Sequence, residues 1–211
     1  MSKLDRIYLY RITHKNNLDF ILNSSKLTCP SHADSDPNYI GIGDSTLIES
    51  RNFKKIYIEP NGNFTDYVAF YFGTRSPMLY NIQNGYKGVE KRNPEEIVYL
   101  VTTFENIIKN NCQYVFTDGH GYHSMSQFFN DKNSLKEVDW ETVNLARWND
   151  TEDDPDRKRR KQAEFLVFNE LPLTALVTIV VYNKKSEMEI LTKFAKHNFD
   201  CKVIIKPDWY Y

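Results

Sequence analysis

Apolar positions fall in short runs separated by polar stretches, and the spacing within each run sets the element expected. "IYLYRIT" (7–13) alternates and is rich in aromatic and β-branched residues, which predicts a strand. "NNLDFILNS" follows at helical spacing, so the chain opens β then α. "DYVAFYFG" (66–73) is apolar on both faces and predicts a central strand. Further strands are expected in "EEIVYLVTTF" (95–104), "CQYVFT" (112–117), "QAEFLVFNEL" (162–171), "TALVTIVVY" (174–182) and "CKVIIKP" (201–207). Short helices are predicted in "DSTLIESRNFKK", capped by Asp44 or Ser45 and carrying Arg51, after Ser76-Pro77, and in "ENIIKN"; a longer one is predicted in "KKSEMEILTKFAKHN". Two segments resist this reading. Pro30 to Gly43 is polar and rich in turn residues, and Asp118 to Lys161 mixes histidines, aromatics, acids and bases with no sustained period. Within the latter, some helix is expected near 124–131 and 139–147, and the rest reads as a surface excursion. Strands outnumber long helices in mixed order, which favours an α+β fold.

Composition narrows the function classes. A chain of 211 residues with 41% hydrophobic content can bury one sizeable core, so residues 1–211 are expected to form a single domain. With 27 Lys+Arg against 28 Asp+Glu, the net charge of -1 excludes a protein that grips duplex nucleic acid by bulk charge; any such contact must be local. Cys29, Cys112 and Cys201 are odd in number and far apart, which suggests neither disulfides nor a zinc site, and they read as reduced, buried thiols. No metal is expected. The N-terminus has no signal-peptide pattern and no run is long enough to span a membrane, so a cytoplasmic protein without membrane contact is expected.

Chemistry concentrates in "DDPDRKRRKQAEFLVFNELPL" (153–173), where a basic run enters an apolar strand that holds Glu164. A buried carboxylate needs a partner or a task. It reads either as a structural carboxylate paired with a neighbour such as Arg160, or as a fixed carboxylate at a cleft floor that stabilises developing positive charge. Arg51 and His14 are unremarkable alone. "FYFGTRSPM" places aromatic rings beside a helix start that suits a phosphate or a flat heterocycle. The basic run reads as a solvated face partly cancelled by "TEDDPD", or, with Trp148, Tyr122, His120 and His123, as a grip for single-stranded nucleic acid. No H-E-x-x-H, Walker, G-x-S-x-G or G-x-G-x-x-G motif occurs.

Four blocks in order, "YRITHKNNLDFIL", "ESRNFKKI", "VAFYFGTRSPMLY" and "RKRRKQAEFLVFNEL", resemble the DarT family of DNA ADP-ribosyltransferase toxins, which are paired with a macrodomain antitoxin, DarG. The resemblance implies an ADP-ribosyltransferase fold in which two central antiparallel sheets form a cleft for NAD+, used as substrate. It implies transfer of ADP-ribose to thymidine in single-stranded DNA, with release of nicotinamide and a block to replication. Glu164 would be the catalytic glutamate and Arg51 a catalytic residue credited with accepting the proton. Because a guanidinium stays protonated in water, the residue chemistry instead favours Arg51 as a group that polarises the base or a phosphate. Thr13, His14, Asn23, Arg51, Tyr71 and Phe72 would contact NAD+, with Tyr71 against nicotinamide and Phe72 its competitor. An element at about 36–54 would close over NAD+, and a loop at about 118–163 would recognise DNA through His120, Tyr122, Arg147, Trp148, Arg157 and Arg160. Single-stranded DNA and a DarG-like antitoxin are the implied partners, and a monomer is expected. The competing readings are the same fold acting on guanine, RNA or protein, and a noncatalytic single-strand-binding module. A related RNA-repair phosphotransferase would carry basic residues in place of Glu164.

Overall fold

The computed structural model describes residues 6–211. Its strands are β1 (Tyr8–His14), β2 (Lys26–Thr28), β3 (Lys55–Ile56), β4 (Gly62–Asn63), β5 (Tyr67–Tyr71), β6 (Ile97–Thr103), β7 (Tyr114–His120), β8 (Phe128–Phe129), β9 (Ala163–Phe168), β10 (Glu170–Pro172), β11 (Thr178–Val181) and β12 (Val203–Ile205). The α-helices are α1 (Leu18–Ser24), α2 (Ser45–Asn52), α3 (Pro77–Asn84), α4 (Phe104–Lys109), α5 (Trp140–Asn144), α6 (Arg157–Lys161) and α7 (Lys184–His197). The fold is α+β. Eight strands form one sheet in the order β12-β11-β6-β1-β5-β9-β7-β8, and β10-β2 and β3-β4 make small ribbons.

The resemblance implied two central sheets, and the hydrogen bonding shows instead one sheet with a weak seam. β1 holds β6 in register from Tyr8↔Thr103 to His14↔Ile97, whereas β1 and β5 share only the Tyr10↔Tyr71 pair. That pair, with the Arg11 guanidinium donating to the Ala69 carbonyl beside it, links the two halves. β5 and β9 run in full register from Tyr67↔Phe168 to Tyr71↔Glu164, which brings the carboxylate strand to the seam.

Strand periodicity decides which side chains face the site. Along β6, Val98 and Leu100 enter the main core while Ile97, Tyr99 and Val101 enter a second cluster on the other face. Along β9, Ala163, Phe165 and Val167 face the main core, leaving Glu164 on the face shared with Leu166. The same alternation along β5 sends Val68, Phe70 and Phe72 inward and leaves Ala69 and Tyr71 on the Glu164 side.

Several expectations change. Residues 124–131 form no helix but a turn and β8, because Phe128 and Phe129 pair with Thr117 and Phe116 and extend the sheet. The helix expected near 139–147 stops at Asn144. The 118–161 segment does not simply cover the surface: Leu135, Val138 and Val143 are core residues and the basic run forms α6. Gly73 approaches this segment so closely that an added Cβ would lie 1.9 Å from the Val143 carbonyl oxygen. Lys161, nearly fully buried, donates to the carbonyls of Val143 (2.7 Å) and Thr74 (3.0 Å), and burial lowers its pKa to about 8. Of the thiols, only Cys29 is buried; Cys112 and Cys201 are half-buried, and all three are free.

The first and last long elements are tied at Asp19 on α1, which meets Lys193, Lys196 and His197 of α7. The Lys193 hydrogen bond is the main cause that pulls the Asp19 carboxyl down to about 2, below its unfolded value of about 3.9. A depressed carboxyl stabilises the fold above its unfolded pKa and loses that contribution as pH falls through the folded one. Asp19→Asn is therefore expected to lower the Tm at pH 7, with the gap to wild type closing between about pH 4 and about 2; thermal melts across that range check this, and a pH-independent gap would contradict it.

Candidate active site

Glu164 is held by local irregularity in β7. The β7–β9 register shifts between Phe116 and His120, so the Glu164 N–H donates to the Thr117 hydroxyl (3.0 Å), which itself donates to the Gly119 carbonyl (2.6 Å). The side chain is 1% exposed. Its Oε2 accepts from Arg51 Nη2 at 2.6 Å, while its buried Oε1 has no hydrogen-bond partner among the described residues. The expected pairing with Arg160 is thus replaced by one with Arg51. Arg51 rides on α2, capped by Asp44 accepting from Leu47 N–H (3.0 Å), and its guanidinium lies 4.7 Å from the centre of the Phe64 ring. A carboxylate so buried is tolerable because the cation offsets its desolvation. Gly121 closes the wall behind the pair: an added Cβ would sit 2.7 Å from Phe64 and 3.1 Å from Glu164 Oε2.

Two cavities meet at Arg51. One, of about 350 Å³, is lined by Arg11, Tyr39, Gly41, Phe64 and Glu164 among others. The second, of about 290 Å³, is lined by Asn81, Lys87, His120, Lys158 and Gln162 among others. Ile48, Arg51, Tyr71 and Met78 border both. Burial, reinforced by Glu164, raises the Tyr71 hydroxyl pKa, so it stays protonated and donates to Met78 Sδ (3.8 Å). Burial lowers the His120 pKa more than neighbouring Glu164 raises it, leaving a neutral imidazole at pH 7.

The first cavity is roofed by the 30–43 loop, which Asn17 holds through a two-way exchange with Ile40, donating to its carbonyl (3.0 Å) and accepting from its N–H (2.9 Å). Asn17 also donates to Thr13 Oγ1 (3.0 Å), and Thr13 meets the Tyr39 hydroxyl (3.0 Å). Arg11 donates to the Ala69 carbonyl and the Tyr39 hydroxyl and makes no ion pair among the described residues. Arg11, Asn17, Tyr39 and Gly121 were not singled out from sequence; a charged residue inside the apolar β1 run was the one available signal, for Arg11.

The remaining expected residues divide. Tyr71 borders both cavities, and Thr13 supports the roof. His14 lies outside both linings, its Nδ1 accepting from Asn16 N–H (3.2 Å) and its Nε2 lying 3.5 Å from Glu96. Phe72 is not a cavity residue: strand alternation buries it against Phe116, Trp140 and Phe165. Asn23 faces solvent on α1, away from both linings. Trp148 is buried, with its indole N–H donating to the Tyr211 hydroxyl (2.6 Å), so it offers no free ring for a base. Arg157 pairs with Asp154 (3.0 Å), and Arg160 pairs with Asp139 and Asp154, so both are neutralised by the acids around them. Lys158 of the same run lines the second cavity instead. Arg147 and Tyr122 are exposed. Among the described residues, no three His, Cys, Asp or Glu side chains are placed to hold a metal.

The family model described as "ssDNA thymidine ADP-ribosyltransferase, DarT" matches residues 10–211. A DNA ADP-ribosyl transferase from Thermus sp. (strain 2.9) is 37% identical, covering 96% of this chain and 95% of that protein, and one from Escherichia coli O127:H6 is 32% identical, covering 96% and 93%. The structure of Thermus sp. 2.9 DarT in complex with ADP-ribosylated ssDNA matches with a TM-score of 0.90 at 36% identity, covering 97% of this chain and 96% of that one. The same protein in complex with NAD+ matches with a TM-score of 0.87 at 35% identity, covering 98% of each chain. A buried Arg51–Glu164 pair between two cavities thus lies in a chain that belongs to the DarT family of single-stranded DNA thymidine ADP-ribosyltransferases.

Proposed function

We propose that this chain takes ADP-ribose from NAD+ and attaches it to thymine in single-stranded DNA, releasing nicotinamide, with residues 1–211 acting as one transferase unit. The observation that carries the reading is the Glu164 carboxylate, with one oxygen on Arg51 and the other buried beside the first cavity without a partner among the described residues. Such an oxygen suits a ribose hydroxyl donor, and the negative charge stabilises the positive charge that grows on the ribose as the bond from C1′ to the nicotinamide nitrogen breaks. Arg11, without an ion-pair partner among the described residues, suits the pyrophosphate, and Tyr71 offers a ring edge or face to nicotinamide. Support for both substrates comes from the Thermus relative, solved in complex with NAD+ and with ADP-ribosylated ssDNA.

The second cavity suits the acceptor. Thymine linked through N1 has one ring nitrogen left, N3, and its proton must leave as the new bond to C1′ forms. Neutral His120 can accept that proton, while Asn81 and Gln162 offer amides to the base carbonyls. Arg51, borne on the 36–54 element and held to Glu164, stays a cation that orders both sides of the reaction. The 118–163 segment would recognise the strand through His120 and Lys158 rather than Trp148, Arg157 or Arg160. A DarG-like macrodomain antitoxin is the further partner, on the strength of the family.

Two outcomes follow. Glu164→Gln, which keeps an amide oxygen for Arg51, is expected to reduce transfer by at least about 10³-fold while the Kd for a thymine-containing oligonucleotide changes less than about threefold; full transfer surviving the substitution would overturn the reading. With His120 as acceptor, kcat/KM for DNA is expected to hold from pH 7 down to the ordinary histidine range and to fall below it, because only the neutral ring accepts the proton. His120→Gln should lower the plateau and remove that acid limb, and an unchanged limb in the variant would assign the titration elsewhere.

A further inference from the structure

A third depression lies on the far side of the Gly121 wall and belongs to neither cavity at Arg51. It has a volume of about 760 Å³ and is lined by Lys54, Lys55, Tyr57, Tyr122, Ser126 and Phe128 among others, with no carboxylate in its lining among the described residues. The segment that builds it, Lys54 to Ile58, alternates so that Ile56 is 2% exposed and anchors the β3-β4 ribbon, while Tyr57 stands 85% exposed. Alternation puts this ring on the same face of the segment as exposed Lys55. The opposite bank comes from residues 122–128, whose Tyr122 is 41% exposed.

Lys54 organises the trough. Its ammonium donates to the Gly121 carbonyl at 2.6 Å and lies 5.7 Å from the centre of the Tyr122 ring and 5.6 Å from that of Phe128. Through Gly121 the trough is one residue's thickness from Glu164 Oε2. Exposed rings for stacking and the ammonium of exposed Lys55, free among the described residues, for a phosphate, with Lys54 held between the Gly121 carbonyl and the field of Glu164, make a surface complementary to an unpaired nucleotide.

Building on the DNA-modifying reading above, we propose that this trough is a subsite for a nucleotide flanking the target thymine, with Tyr57 and Tyr122 stacking on its base and Lys55 meeting its phosphate. It extends the strand's path past the wall behind Glu164 and makes the enzyme sensitive to DNA on one side of the target. The acceptor cavity reads the thymine and the trough reads the presence of a neighbour, with stacking that tolerates any base.

The test measures Kd by fluorescence anisotropy and KM by transfer, using a nested set of single-stranded oligonucleotides trimmed from either end towards one thymine. Tyr57→Ala and Lys55→Ala change exposed side chains and spare the core. Tyr57→Ala is expected to weaken binding roughly 5- to 100-fold for oligonucleotides extended on one side of the thymine and to leave the trimmed ones unchanged. Lys55→Ala should reduce the slope of log Kd against log salt by about 0.7, the value of one lost phosphate contact on a single strand. Unchanged Kd at every length, or an equal loss at every length, overturns the subsite. Failure of the wild-type protein to modify any of the set while still binding it would instead count against the transferase reading, and the Kd comparison would still decide the trough.

Discussion

The buried ion pair between Arg51 and Glu164 is the constraint on which the rest of the site depends. A carboxylate 1% exposed is costly without a cation, and the cation on the short polar helix α2 is held by this carboxylate and by the Phe64 ring. Each group therefore fixes the other: the strand supplies rigidity, and the helix brings the element that borders both cavities. The Thr117 hydroxyl, the shifted register of β7 and the absence of a side chain at Gly121 all serve to seat this one pair.

The weak seam between β1 and β5 gives the pair something to act on. Strands joined through a single residue pair leave room for the cavity lined by Arg11, Ala69 and Tyr71, which is roofed by the loop that Asn17 and Tyr39 tie down. Tyr71, partner of Tyr10 across the seam and of Glu164 on the other side, stands where the halves meet. The two cavities then share the border of Ile48, Arg51, Tyr71 and Met78 while keeping separate floors.

Much of this was legible beforehand. The order of strands and short helices, the Asp44 and Ser76 caps and the isolation of Glu164 in an apolar strand are local properties that hydrophobic period and capping chemistry reveal. Phe72 could have been set aside from sequence too, since period two puts it opposite Tyr71. What sequence did not show is long-range pairing. Nothing local distinguishes Arg157 and Arg160, neutralised by Asp154 and Asp139, from Lys158, which reaches a cavity. Trp148 looked free because its partner, Tyr211, is far along the chain. Arg51 was placed by family resemblance, whereas its contact with Glu164 needed the folded chain.

The central claim is that this arrangement joins an NAD+-derived ribose to thymine. Mass spectrometry of single-stranded oligonucleotides incubated with NAD+ and the wild-type protein tests it most directly, with one set lacking thymine and another lacking guanine. The account predicts one added ADP-ribose on strands that contain thymine, with fragmentation placing it on that base, and none on strands that lack it. Equal modification of thymine-free strands, or an adduct carried by guanine, would contradict it.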